Sequence, residues 1–82
     1  MEPVLAGKEI PVSLTMLENG RCGVVVRING GHSRRDRLLQ LGIVPGVPVY
    51  VIKNGRSGPL VLDVLGSRIV LGNGIASAVE VS

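Results

Sequence analysis

The chain holds few side chains that can do chemistry. One histidine (His32), one cysteine (Cys22) and six Asp or Glu residues stand among 82 residues. A Ser–His or Cys–His pair would have to use His32, since a nucleophile needs a base within hydrogen-bond reach. Asp36 and Asp63 lie far apart in sequence, and each has a simpler use. Asp36 suits the start of a helix, where a negative charge is favoured. Asp63 can face solvent between Leu62 and Val64. No general acid/base pair is legible, so no enzyme is expected. One His, one Cys and scattered carboxylates do not form a converging set at metal-ligand spacing. His32 therefore reads as a polar loop residue. Cys22 opens an apolar alternating face and reads as a small buried hydrophobe. Gly30-Gly31-His32-Ser33 leads into a helix, and helix N-termini favour anions. The phosphate-loop spacing and its lysine are missing, so the segment reads as a flexible turn.

The cationic residues are more informative. Lys and Arg number nine, giving a net charge of +3. That permits an acidic or phosphate-bearing partner without requiring one. Small basic β-barrels bind nucleic acid, but single-strand binders stack bases on aromatic rings. Here Tyr50 is the one aromatic residue. Arg34, Arg35 and Arg37 crowd the expected first turn of a helix, where cations oppose the helix dipole. Two readings stay open. The arginines contact a partner, or their stems cover apolar surface while their heads reach water.

The elements that must position these residues follow from periodicity. Met1 to Pro11 has no clear period and reads as an extension. Val12 to Asn19 reads as a short strand or turn leading into the turn dipeptide Asn19-Gly20. Arg21 to Ile28 alternates, with Cys22, Val24, Val26 and Ile28 on one face, and predicts a half-buried strand. A helix follows from about Arg34 to Leu41, roughly two turns or ~12 Å. Ser33 is its expected N-cap, with Asp36 three residues on. Gly42 suits the left-handed C′ position, and Ile43 would then meet Leu38. Pro45 blocks continuation. Leu38, Leu39 and Leu41 are expected to be structural.

Val47 to Lys53 predicts a strand, with Pro48 near its start suggesting a sheet edge. Leu60 to Leu65 and Arg68 to Leu71 predict a hairpin about Gly66-Ser67. Ile75 to Val79 predicts a helical turn, and Val79-Glu80-Val81 a last strand. About five short strands with one short helix point to a small β-barrel, whose closure removes exposed edges. One domain is expected, at 12–82 after an extension at 1–11. A single cysteine and the lack of a signal-peptide pattern point to a reducing, cytoplasmic home.

The run Arg37-Leu38-Leu39-Gln40-Leu41-Gly42-Ile43-Val44-Pro45-Gly46-Val47-Pro48-Val49 resembles the L-x-x-L-G-[ILM]-x-P-G signature of FeoA, a small protein of bacterial ferrous iron transport. Glu18 to Val25 is similar to that family's entry strand, and Pro59 to Leu71 to its hairpin. Ala78-Val79-Glu80-Val81 is similar to its closing strand. Leu71-Gly72-Asn73-Gly74-Ile75 departs from the family pattern, as does Leu62-Asp63. The resemblance implies an SH3-like β-barrel, as in the C-terminal domain of iron-dependent repressors. It implies a non-catalytic accessory role, with the cytosolic GTPase part of the ferrous transporter FeoB as partner. It also implies transition-metal binding, which these residues support only as weak binding of Fe²⁺ or Zn²⁺ and not as a required cofactor. The expected partner-binding residues are His32, Arg34, Arg35 and Arg37. Direct membrane insertion and nucleic-acid binding are not expected, while apolar strands leave a homo-oligomer open. The alternatives are a nucleic-acid-binding barrel and a transition-metal-responsive module.

Overall fold

The computed structural model describes residues 10–82. The expected extension at 1–11 lies almost wholly outside them. Six antiparallel strands form one bent sheet in the order β1-β6-β2-β3-β4-β5. They are β1 (Val12–Ser13), β2 (Cys22–Ile28), β3 (Pro48–Asn54), β4 (Leu60–Val64), β5 (Ser67–Leu71) and β6 (Val79–Val81). Helix α1 (His32–Gln40) links β2 to β3, and the one-turn α2 (Asn73–Ala76) links β5 to β6. The segment after β1 forms a 3₁₀ turn at Leu14–Met16. Val12 to Asn19, expected as a short strand or turn, gives only the two-residue β1 before the 3₁₀ turn.

The sheet bends because β2 divides its pairing. Its first half pairs with β3 (Gly23 opposite Val49), and its second half pairs with β6 (Ile28 opposite Val79). Irregularities between Val25 and Arg27 and between Val51 and Lys53 add local twist. The concave side encloses a core built from Leu14, Val25, Leu38, Ile43, Val49, Val51, Leu60, Leu62 and Val79, with no buried polar or charged side chain among the described residues. Asn54 fastens the 3₁₀ turn to β3. Its Nδ2 donates to the carbonyls of Thr15 (2.9 Å) and Leu17 (2.8 Å), and its N–H donates to Asn19 Oδ1 at 2.7 Å. The Asn19-Gly20 turn is thereby held as expected, with Gly20 at φ +83.

Three expectations are corrected. The buried face of β2 is Gly23 and Val25, not Cys22, Val24 and Val26, which are all exposed. Val24 and Val26 are as apolar as Val25, and Arg27 shares the face of Gly23 and Val25, so alternation points to the wrong face. Close packing chooses, because a Cβ on Gly23 would lie 3.0 Å from Val81 Cβ and 3.1 Å from Leu17 Cδ1. Pro48 does not mark an edge, since β3 lies between β2 and β4. It is the first residue of its strand, a position where a missing N–H is tolerated. The hairpin turns at Leu65-Gly66 rather than Gly66-Ser67, with φ +53 and +88. Two consecutive positive φ values make the type I′ turn that matches strand twist. The Asp63 carboxylate steadies it, with Oδ1 accepting from Gly66 N–H at 3.0 Å.

The end of α1 forms as the sequence predicts. Gly42 N–H donates to the Leu39 carbonyl at 2.9 Å, and Ile43 N–H to the Leu38 carbonyl at 2.9 Å. This is the paired Schellman closure, and Leu38 and Ile43 are both fully buried. Gly42 sits at φ +84, with open space where a Cβ would stand. The Gly42→Ala substitution therefore costs only backbone strain, about 1–2 kcal/mol by thermal or urea unfolding.

Candidate functional site

Helix α1 begins two residues earlier than expected. Gly30, at φ +101, turns the chain out of β2, and Gly31 is the N-cap, with no side-chain cap hydrogen bond. Ser33 lies inside the first turn rather than capping it. The helix also ends at Gln40 rather than Leu41, which puts Arg37 in the last turn, where a cation favours the helix dipole. Arg34 and Arg35 remain near the unfavourable end. Gly30 also seats Arg34, for a Cβ there would come within 3.0 Å of Arg34 Cδ.

The helix is held to the barrel by one fully buried residue, Leu38. Leu39 is 58% exposed and Leu41 38% exposed, so these two are not core residues. The reason is geometric. The helix lies on the barrel with one narrow stripe inward: Leu39 is turned about 100° from Leu38 around the helix, and Leu41 lies past the last helical residue, at the C-cap.

His32, Arg34, Arg35 and Arg37 are all exposed, and they do not form one cluster. Arg34 and Arg37 line a groove of about 730 Å³ between α1 and the end of β5, where Leu41, Val70 and Ile75 supply apolar walls. His32 and Arg35 line the other flank, a groove of about 400 Å³ walled by Ile28, Leu39 and Val44. Asp36 borders both. Among the described residues the ion pair is Arg27 Nε to Glu80 Oε1 at 3.3 Å, between the exposed Arg27 of β2 and the half-buried Glu80 of β6. Among the described residues no carboxylate lies within ion-pair distance of Arg34, Arg35 or Arg37. The α1 surface thus joins unneutralised guanidinium groups to exposed leucine and valine side chains. Such a surface suits an acidic, amphipathic protein segment, with Arg able to take a carboxylate through two parallel hydrogen bonds. Val70 and Ile75 carry no sequence signal as site residues: Ile69-Val70-Leu71 is a continuous apolar run, and only the fold turns Val70 outward beside α1.

Among the described residues no three His, Cys, Asp or Glu side chains stand together as metal donors. His32 and Asp36 are one helical turn apart on the same groove. Two donors leave a coordination sphere open, so a divalent metal here would need further ligands from another molecule. Cys22 lies on the outer face of β2, opposite Tyr50 of β3 and away from α1. No helix of the described residues is long and apolar enough to cross a membrane.

Comparison with known proteins bears on this surface. The FeoA domain model matches residues 12–82. The chain is 32% identical over 68 residues to the Methanocaldococcus jannaschii protein named "Putative Fe(2+) transport protein A", covering 83% of this chain and 82% of that one. A crystal structure of an iron uptake regulatory protein, FeoA, superimposes with a TM-score of 0.81 at 36% identity, covering 90% of this chain and 97% of that one. The Stenotrophomonas maltophilia FeoA, an SH3 domain protein solved with zinc, gives a TM-score of 0.72 at 24% identity, with coverage of 90% and 91%. The fold also recurs in a manganese-dependent transcriptional repressor, with a TM-score of 0.83 at 21% identity. There 90% of this chain corresponds to 37% of the repressor.

Proposed function

The chain belongs to the FeoA family, and from that premise we propose that it is a non-catalytic accessory protein of ferrous iron transport that docks on the cytosolic part of a FeoB-type transporter. The observation that carries this reading is the α1 surface. Arg34, Arg35 and Arg37 have no ion-pair partner among the described residues, and they flank exposed Leu39 and Leu41. Exposed large apolar side chains rimmed by charge mark protein contact surfaces. The barrel supplies a rigid base, and α1 supplies the chemistry of recognition. The family relation supports both iron transport as the pathway and an accessory role in it. A divalent metal has a minor part in this reading. His32 and Asp36 give it two donors, enough for weak binding that a partner's ligand would complete.

The test is a pull-down of the transporter's cytosolic domain. Replacing Arg34, Arg35 and Arg37 together with Ala is expected to weaken capture at least about tenfold, since charge-assisted contacts are worth about 1.5–3 kcal/mol. The far-ultraviolet circular dichroism should stay as in the wild type and the thermal midpoint should not fall by more than a few degrees, because all three side chains are exposed and losing the favourable cation at Arg37 is offset by losing the unfavourable ones at Arg34 and Arg35. Undiminished capture by the triple variant would sink the assignment of the surface.

A further inference from the structure

Among the described residues strand β5 is an edge of the sheet and pairs only with β4. The type I′ turn at Leu65-Gly66 fixes which of its backbone groups are free. A two-residue turn makes Val64 and Ser67 a hydrogen-bonded pair, and such pairs then alternate along the ladder. Leu62–Ile69 and Leu60–Leu71 are therefore hydrogen-bonded pairs, while Asp63–Arg68 and Val61–Val70 are not. The N–H and C=O groups of Arg68 and Val70 accordingly point away from β4, and no backbone partner meets them among the described residues. The side chains of both residues are exposed, Val70 at 62%. Val70 also walls the groove that holds Arg34 and Arg37.

We infer that the free edge of β5 accepts an extended, acidic segment of the partner protein as an additional strand, laid along the groove between β5 and α1. Backbone groups of Arg68 and Val70 supply the ladder. Val70 and Leu41 receive an apolar side chain. Arg34, Arg37 and Arg68 select acidic neighbours. Strand addition draws affinity from main-chain hydrogen bonds and specificity from alternate side chains, which matches this division of labour. The same charges disfavour a second copy of this chain at the edge, since β5 against β5 would bring Arg68 and the α1 arginines of both copies together. The inference rests on the docking reading of this surface and specifies the form of the docked segment.

The experiment uses the full ¹⁵N-labelled chain and a fluorescein-labelled octapeptide of alternating Glu and Val, with an alternating Lys and Val octapeptide as control. The Glu–Val peptide should bind, should bind less tightly as salt rises, and should protect the Arg68 and Val70 amides from hydrogen exchange. The Lys–Val peptide should not bind. Val70→Pro removes an N–H that the β4 ladder does not use, so the fold should persist while peptide affinity falls at least about tenfold. If circular dichroism shows that Val70→Pro does not fold, Arg68→Glu replaces it and should reverse the preference between the two peptides. Equal affinity of the folded Val70→Pro chain, or protection confined to other amides, overturns the inference. So does a dimer in sedimentation that Val70→Pro dissolves, for the edge would then serve a second copy. The transporter domain separates this proposal from the reading beneath it. Loss of capture on removing the α1 arginines, with full capture by Val70→Pro, keeps docking and overturns strand addition. No capture by the wild type, with Arg68 and Val70 still protected by the Glu–Val peptide, keeps strand addition and overturns docking on the transporter.

Discussion

Leu38→Ala is expected to lower the unfolding free energy by about 2–5 kcal/mol, the range for truncating a buried leucine. A small domain has only about 5–15 kcal/mol in total, so this is a large fraction. The site is sensitive because Leu38 is the one fully buried residue of α1. Its side chain packs within the core that holds Ile43 and Val25. Its carbonyl also accepts the N–H groups of Leu41 (3.0 Å) and Ile43 (2.9 Å), which close the helix. Truncation opens a cavity beneath the only anchor, and α1 should loosen before the sheet does. Leu39→Ala, one residue on, should change stability by no more than about 0.5 kcal/mol, as exposed positions do. Thermal unfolding of the two variants side by side checks the contrast. A loss of about 1 kcal/mol lowers the midpoint by roughly 4–8 °C in a domain of this size. Equal midpoints for Leu38→Ala and Leu39→Ala would contradict the seating of the helix.

Arg34→Glu should move stability and docking in opposite directions. Arg34 is the third residue of α1, and a cation there opposes the helix dipole. A glutamate at the same place favours the dipole and can accept from the free N–H groups of the first turn. The helix should gain about 0.3–1 kcal/mol. Docking on an acidic partner should weaken about 10–100-fold, because a like charge replaces an attractive one at the contact. Most of that loss should appear in the association rate at low salt and shrink as salt is added. Thermal unfolding and a binding titration at two salt concentrations measure both signs on one sample. A merely solvated arginine would show the stability gain without the binding loss, which would remove Arg34 from the proposed contact.

How much could be read from the sequence depended on how local each determinant is. The end of α1 was legible because Gly42, Ile43 and Pro45 dictate it within a few residues. Its beginning was not. Ser33 is a better capping residue than Gly31, but the turn at Gly30 sets the helix start first and leaves Ser33 inside. Strands β2 to β6 were placed to within a residue by alternation and turn dipeptides, whereas β1 is far shorter than the stretch read for it. The inward face of β2 was not, because Cys22, Val24 and Val26 are as apolar as Val25. Only the close approach of β6 to Gly23 decides between them. The residues at the candidate site were found as a charge cluster that broke a local helix rule. Their division between two grooves was hidden, because it depends on β5 and α2 lying beside α1.

The place of β6 in the sheet has a consequence for how the chain reaches this state. Val12 of β1 pairs with Val81, and β2 closes on β6 through Ile28 opposite Val79. The latest strand in the chain is thus wedged between the two earliest. Until Val79–Val81 arrives, β1 lacks a neighbour and the second half of β2 carries an open ladder. Such long-range closure places folding among the slower small domains, on a scale of about milliseconds to seconds. The β2–β3 and β4–β5 hairpins can form while the chain is still growing, but the barrel cannot. Val25 and Ile28 therefore stay uncovered until Val79–Val81 have been made and paired.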